Sequence, residues 1–166
     1  MANLVDKIDK NKAVIEWLQN CPQIESTPLY FNFLEAEDNA KQFLTMANEK
    51  IVNKPYIDGS VSKRYTFTIQ DYRSISFNPL MPTAIAQNEN VEDIFDFQGF
   101  IDWITEQAKA QNYPDFGDDC EIEELKALSE NPDSNGVQTV GGLNLAKYSV
   151  SIQIDYLDTT ETIWNK

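Results

Sequence analysis

The chain has 166 residues, 42% hydrophobic and 11% aromatic, enough for one domain with a core of its own. Twenty-seven acidic residues against thirteen basic ones give a net charge of −14, which repels phosphate backbones and argues against ordinary DNA or RNA binding. The chain has no histidine, so the commonest general base and the commonest zinc ligand are both missing.

The plain reading of the acidity is solubility. Beside it stand cation binding, contact with a basic partner, and a lumen past which DNA slides without sticking. Cys21 and Cys120 have no CxxC spacing and are expected as free thiols in a reduced compartment. No apolar run reaches membrane-spanning length and the first twelve residues lack the hydrophobic region of a secretory signal, so a soluble cytoplasmic protein is expected.

In chain order, residues 3–21 read as an amphipathic helix. Leu4, Ile8, Ile15 and Leu18 share a stripe widened by Val14 and Trp17, with charge opposite; Asn3 suits the cap and Pro22 the stop. The aromatic run from Thr27 to Leu34 reads as a first strand. Residues 35–46 stay open between a solvated turn, a short helix and a lip leading onward.

The next stretch, Glu49 to Tyr72, organises the chain. Two extended runs meet at Ile57-Asp58-Gly59-Ser60, and Asp-Gly between strand-like runs predicts a hairpin closed by a two-residue primed turn. After it, Val61, Lys63, Tyr65, Phe67 and Ile69 alternate with polar residues, the pattern of a half-buried strand. Pro55 removes a ladder donor from the first arm, which predicts an edge or a bulge there.

Ser74 to Asn90 holds two prolines and no sustained period, and reads as a long loop. Its apolar residues Phe77, Leu80, Met81 and Ile85 are candidate assembly contacts, with folding back over the chain's own sheet as the equal alternative. Val91 to Gln111 reads as the second helix. Ile94, Phe97, Ile101, Ile104 and Ala108 form its stripe, Asn90 suits its cap, and Gly99 suits close packing on the sheet.

Residues 112–120 read as a turn. Glu121–Leu128 is open between helix, from the spacing of Ile122, Leu125 and Leu128, and strand, from its position. Ser129–Asn144 reads as a second loop. Ala146 to Tyr156 then alternates cleanly, one apolar face and one polar, which suits an antiparallel sheet covered on one side. The sum is an α+β single domain over 1–166, a mostly antiparallel sheet of about four or five strands packed on two main helices. Residues 158–166 read as a loose tail unless Trp164 finds a partner.

No constellation marks catalysis. A nucleophile would need a base other than histidine, and Gly141-Gly142 carries no phosphate-loop pattern. The acids Asp115, Asp118, Asp119, Glu121, Glu123 and Glu124 do not keep a calcium-loop register, so a solvated face is the better reading. No catalytic residue, cofactor or metal site is expected.

Three blocks resemble a phage and prophage family of Gram-positive bacteria whose members are called minor capsid proteins or tail terminators. Lys50-Ile-Val-Asn-Lys-Pro-Tyr-Ile-Asp-Gly-Ser60 is similar to its KxYIDGS hairpin, with Tyr56, Ile57, Asp58, Gly59 and Ser60 as the signature. Phe97-Gln-Gly-Phe-Ile-Asp-Trp-Ile-Thr-Glu-Gln107 resembles its FxDFADWLExQ helix, and Leu143–Tyr156 its closing strand, which implies that Glu121–Leu128 is a strand as well. Pro55 departs from the family's basic-aromatic step, and residues 74–90 and 129–142 differ from its loops.

The resemblance implies an assembly role. Tail terminators form a ring, hexameric in the best-known members, on the head-proximal end of the tail tube. The ring stops tube growth and faces the head connector. The implied partners are further copies of the chain, the major tail protein and head-connector proteins, with no sequence-specific nucleic acid binding and no membrane. The implied location is the cytoplasm of the bacterial host during assembly, then the tail or neck of the virion. Another neck or minor capsid component is the near alternative. From a different class comes an acidic binding module that sequesters a basic host protein.

Overall fold

The computed structural model describes residues 4–25, 29–31, 41–45, 50–51, 55–74, 83–128, 133–140 and 142–160. In chain order these form α1 (Leu4–Leu18), α2 (Pro22–Glu25), β1 (Leu29–Phe31), β2 (Lys41–Thr45), β3 (Lys50–Ile51) and β4 (Val61–Ser74). They continue with α3 (Thr83–Ala110), β5 (Cys120–Ala127), β6 (Asp133–Val140) and β7 (Leu143–Asp158).

The frame is the β4–β7 pair, antiparallel in unbroken register from Val61↔Asp158 to Ser74↔Leu145. Alternation sends Tyr65, Phe67 and Ile69 to one face, directly opposite Ile154, Ile152 and Val150, and all six are buried. Val14, Trp17 and Leu18 of α1 and Phe97, Phe100, Ile101 and Ile104 of α3 close over that face in one core cluster. Trp17 also latches the helices together: its ring lies 4.7 Å from that of Trp103, and its Nε1 donates to the carbonyl of Asn112 at 3.0 Å.

The fold is α+β, and its sheet is larger than expected. Five strands run in the order β1-β2-β4-β7-β5, β3 also pairs with β4, and β6 with β7, which makes seven. Every pairing is antiparallel except β1 with β2. The additional strands lie in segments without a clear period. Lys41–Thr45 is β2, inside the stretch left open as turn, helix or lip, and Asp133–Val140 is β6, inside the expected second loop. Strand β6 ends at Val140 and β7 begins at Leu143, and these two residues pair directly.

Three further expectations are corrected. Helix α3 begins at Thr83, so Thr83–Asn90 is helix and not loop, and Asn90 lies inside the helix and cannot cap it. The backbone of Ile85 is likewise helical, while Phe77, Leu80 and Met81 lie outside the described residues, as does Trp164. Gly99 faces α2 and not the sheet, because a Cβ built there would meet Nε2 of Gln23 at 2.8 Å. The far end of α3 closes with Gln111 at φ 54°, where Gln111 N–H bonds to Ala108 O and Asn112 N–H to Gln107 O. That is the paired bond pattern of a left-handed helix cap, formed here without glycine.

Glu121–Leu128 belongs to the sheet as β5, apart from Leu128. Its helix-like spacing has a local cause. The register with β7 shifts between Ile122 and Glu124, so a bulge takes up Glu123 and leaves Ile122 and Leu125 on the same face, opposite Tyr156 and Ile154.

Candidate functional site

The signature hairpin builds its own turn. Gly59 N–H donates to Tyr56 O at 3.0 Å and Tyr56 N–H to Ser60 O at 2.9 Å. Gly59 has φ 92°, and neither Ile57 nor Asp58 has positive φ. The connection is therefore a turn closed by a glycine bulge, one residue longer than the primed turn expected, and Asp58 escapes the left-handed strain that turn would impose.

Asp58 locks the turn instead. Its Oδ1 accepts from Ser60 N at 3.0 Å and from Ser60 Oγ at 2.7 Å, and these bonds hold its carboxyl below the ordinary carboxylate range. Ser60 is buried beneath it. The apolar residues of this hairpin point the other way: Ile57 is 104% exposed, Ile51 64% and Tyr56 49%. The turn is thus held by its polar residues, while Ile57 and Ile51 meet solvent.

The root of the hairpin is clamped by charge. Arg64 stands opposite Asp155 and grips it through two bonds, Nε to Oδ1 at 2.7 Å and Nη2 to Oδ2 at 2.8 Å. That grip holds the Asp155 carboxyl low and raises Arg64. Lys63 Nζ reaches Asp158 at 2.5 Å. Burial alone would push the Asp158 carboxyl up, but the bonds from Lys63 and Thr160 outweigh it and hold the group low.

Two strands away lies the acidic segment. Cys120 opens β5 opposite Asp158, which itself faces Val61, so residues 115–121 sit at the hairpin's end of the sheet. Asp115, Asp118, Asp119, Glu121, Glu123 and Glu124 are all exposed. Their local bonds are structural: Asp115 Oδ1 accepts from Gly117 N, Glu124 pairs with Lys126, and Asp119 O accepts from Thr159 N. Among the described residues no three His, Cys, Asp or Glu side chains gather as metal ligands.

A buried cation is the residue that sequence reasoning missed. Lys10 is 8% exposed, donates to Tyr156 Oη at 2.7 Å and lies 4.4 Å from the centre of that ring, with Phe116 packed edge-on against Tyr156. Tyr65 Oη donates to Asn11 Oδ1 alongside. The signal was present in the spacing, since Lys10 precedes Val14, Trp17 and Cys21 at helical intervals and shares their face. This lysine ties α1 to β7.

Compared with known proteins, the chain matches no family model and no curated protein. No described helix is long and apolar enough to cross a membrane.

Proposed function

We propose that this chain is a structural protein of a phage or prophage particle, a tail-terminator-like ring subunit that caps the tail tube and meets the head connector. The observation that carries this reading is the hairpin. The residues that resemble the family signature form a self-sufficient turn on which Ile57 is fully exposed and Tyr56 half-exposed.

The other two blocks support it. The helix block lies in α3 and the closing block in β7, and they touch through Phe97 and Tyr148, with ring centres 6.5 Å apart. The first block leads into β4, the direct neighbour of β7. Three stretches distant in sequence thus make one unit, as residues of a shared fold should. The net charge of −14 suits a passage for DNA, where repulsion keeps the genome mobile. The job needs no catalytic group, cofactor or metal. Assembly belongs in the host cytoplasm, followed by the tail or neck of the virion.

The test is a tube-growth assay. Purified chain is added to polymerising major tail protein, and tube lengths are measured by electron microscopy. Shorter tubes with a ring at one end support the reading, and an unchanged length distribution contradicts it. Stable capture of a basic host protein, with no effect on tubes, would favour the sequestering module.

A further inference from the structure

We propose that Asn135 is a site of spontaneous covalent modification: its dipeptide with Gly136 closes to a cyclic imide, loses ammonia and reopens as aspartate or isoaspartate. The inference does not rest on the ring reading.

The reaction needs only this dipeptide and water. Hydroxide takes the proton of the Gly136 backbone nitrogen, which attacks the side-chain amide carbon of Asn135. A C–N bond forms, the bond to the side-chain nitrogen breaks, and the departing nitrogen takes a proton from water and leaves as ammonia, which restores the hydroxide. Water then opens the five-membered ring. Entry at the side-chain carbonyl gives aspartate, and entry at the main-chain carbonyl gives isoaspartate. Glycine suits the attacking position because it has no Cβ to block the approach. Asn135-Gly136 is the one Asn-Gly pair in the sequence. Asp58-Gly59 is the one Asp-Gly pair and can reach the same kind of imide by losing water.

The fold sets these two dipeptides apart. Strand β6 pairs with β7 at Ser134↔Tyr148 and resumes at Val137↔Ala146, so Asn135 and Gly136 together stand opposite Lys147. That is a bulge, where the ladder is broken and a residue drops out of it. A regular ladder would commit the backbone groups and hold them extended, whereas the bulge frees the nitrogen that has to move. The Asp58-Gly59 pair is locked instead. Gly59 N–H already donates to Tyr56 O at 3.0 Å, and Asp58 Oδ1 accepts from Ser60 N at 3.0 Å and Ser60 Oγ at 2.7 Å. These bonds keep the Asp58 carboxyl ionised, and a carboxylate is a poor electrophile.

Each product has its own consequence. Aspartate adds one more carboxylate to a chain of net charge −14. Isoaspartate adds a methylene to the main chain, so Val137–Val140 can no longer keep their register with Leu143–Ala146. The pairing of β7 with β4 runs along its other side and is spared. Modification therefore loosens β6 alone.

The test ages the full chain at neutral and mildly alkaline pH, folded and in urea, and maps its peptides by mass spectrometry. Isoaspartate is read by methyl transfer from S-adenosylmethionine with an isoaspartyl methyltransferase as the probe. In the folded chain, position 135 is expected to exchange its amide NH2 for OH and to gain isoaspartate, at a rate comparable with that in urea and rising in proportion to hydroxide. Asp58 is expected to yield isoaspartate in urea and none while folded. Gly136→Ala, with a thermal melt as the fold control, should slow the reaction at Asn135 severalfold. Hydrogen exchange at 137–140 should quicken in the aged wild type. An Asn135 that reacts in urea but stays intact in the folded chain would overturn the inference. So would isoaspartate at Asp58 in the folded chain, or a rate at Asn135 that Gly136→Ala leaves unchanged.

Discussion

Ile57, in the hairpin turn, and Phe67, in β4, lie ten residues apart, yet one is 104% exposed and the other 1%. Phe67 stacks on Phe43 with ring centres 5.0 Å apart and faces Ile152 across the ladder. Ile57 stands on a turn that Asp58 and Ser60 hold by hydrogen bonds alone. The same kind of side chain builds the core at one point of the arm and has no folding task at the other. An exposed tip and a buried core thus lie close together in sequence, and substitutions can test how far the fold depends on each.

The largest effect is expected at the core end. Phe67→Ala removes a ring from a closed cluster and should cost about 4 kcal/mol, a large part of a domain's net stability, read from the urea midpoint. Next comes Tyr156→Phe, which removes the hydroxyl that accepts from the buried Lys10 ammonium and should cost about 2 kcal/mol in the same assay. A loss near zero there would mean that the ring, and not the hydroxyl, holds Lys10.

The clamp at the hairpin root comes third. Asp155 is held low by Arg64, so the folded state gives up this proton at lower pH than the unfolded chain. The stabilisation is present above the ordinary carboxylate range and is lost as pH falls through the folded value, below about pH 4. Asp155→Asn should cost about 1 kcal/mol at neutral pH, since Arg64 is partly exposed, and should flatten the acid limb of a stability-against-pH curve. A smaller change of opposite sign is expected at Gln111→Gly, which relieves a left-handed residue at the end of α3 and should stabilise by about 0.5 kcal/mol.

The same separation explains what was legible in the sequence. Strands β4 and β7 and the part of α3 from Phe97 onward stood out because burial imposes a period on them. The tip stood out through Asp58-Gly59, although the turn type was misjudged, because the side chain of Asp58 takes over part of the work that a primed turn does with backbone alone. Strand β5 was obscured by its bulge, which gives a strand the spacing of a helix turn. Strand β6 lacks an alternating apolar face and so reads as loop from the sequence alone. Lys10 was hidden by its type, since a lysine on an apolar stripe reads as an interruption until its tyrosine partner, far away in sequence, is known.

The most direct test pairs two readings. The wild type is weighed by light scattering after size exclusion, and wild type and Ile57→Glu are unfolded in urea under conditions where each is monomeric. The account predicts a discrete ring for the wild type and the same urea midpoint for both chains. A wild type that stays monomeric, or an Ile57→Glu chain that unfolds early, would contradict it.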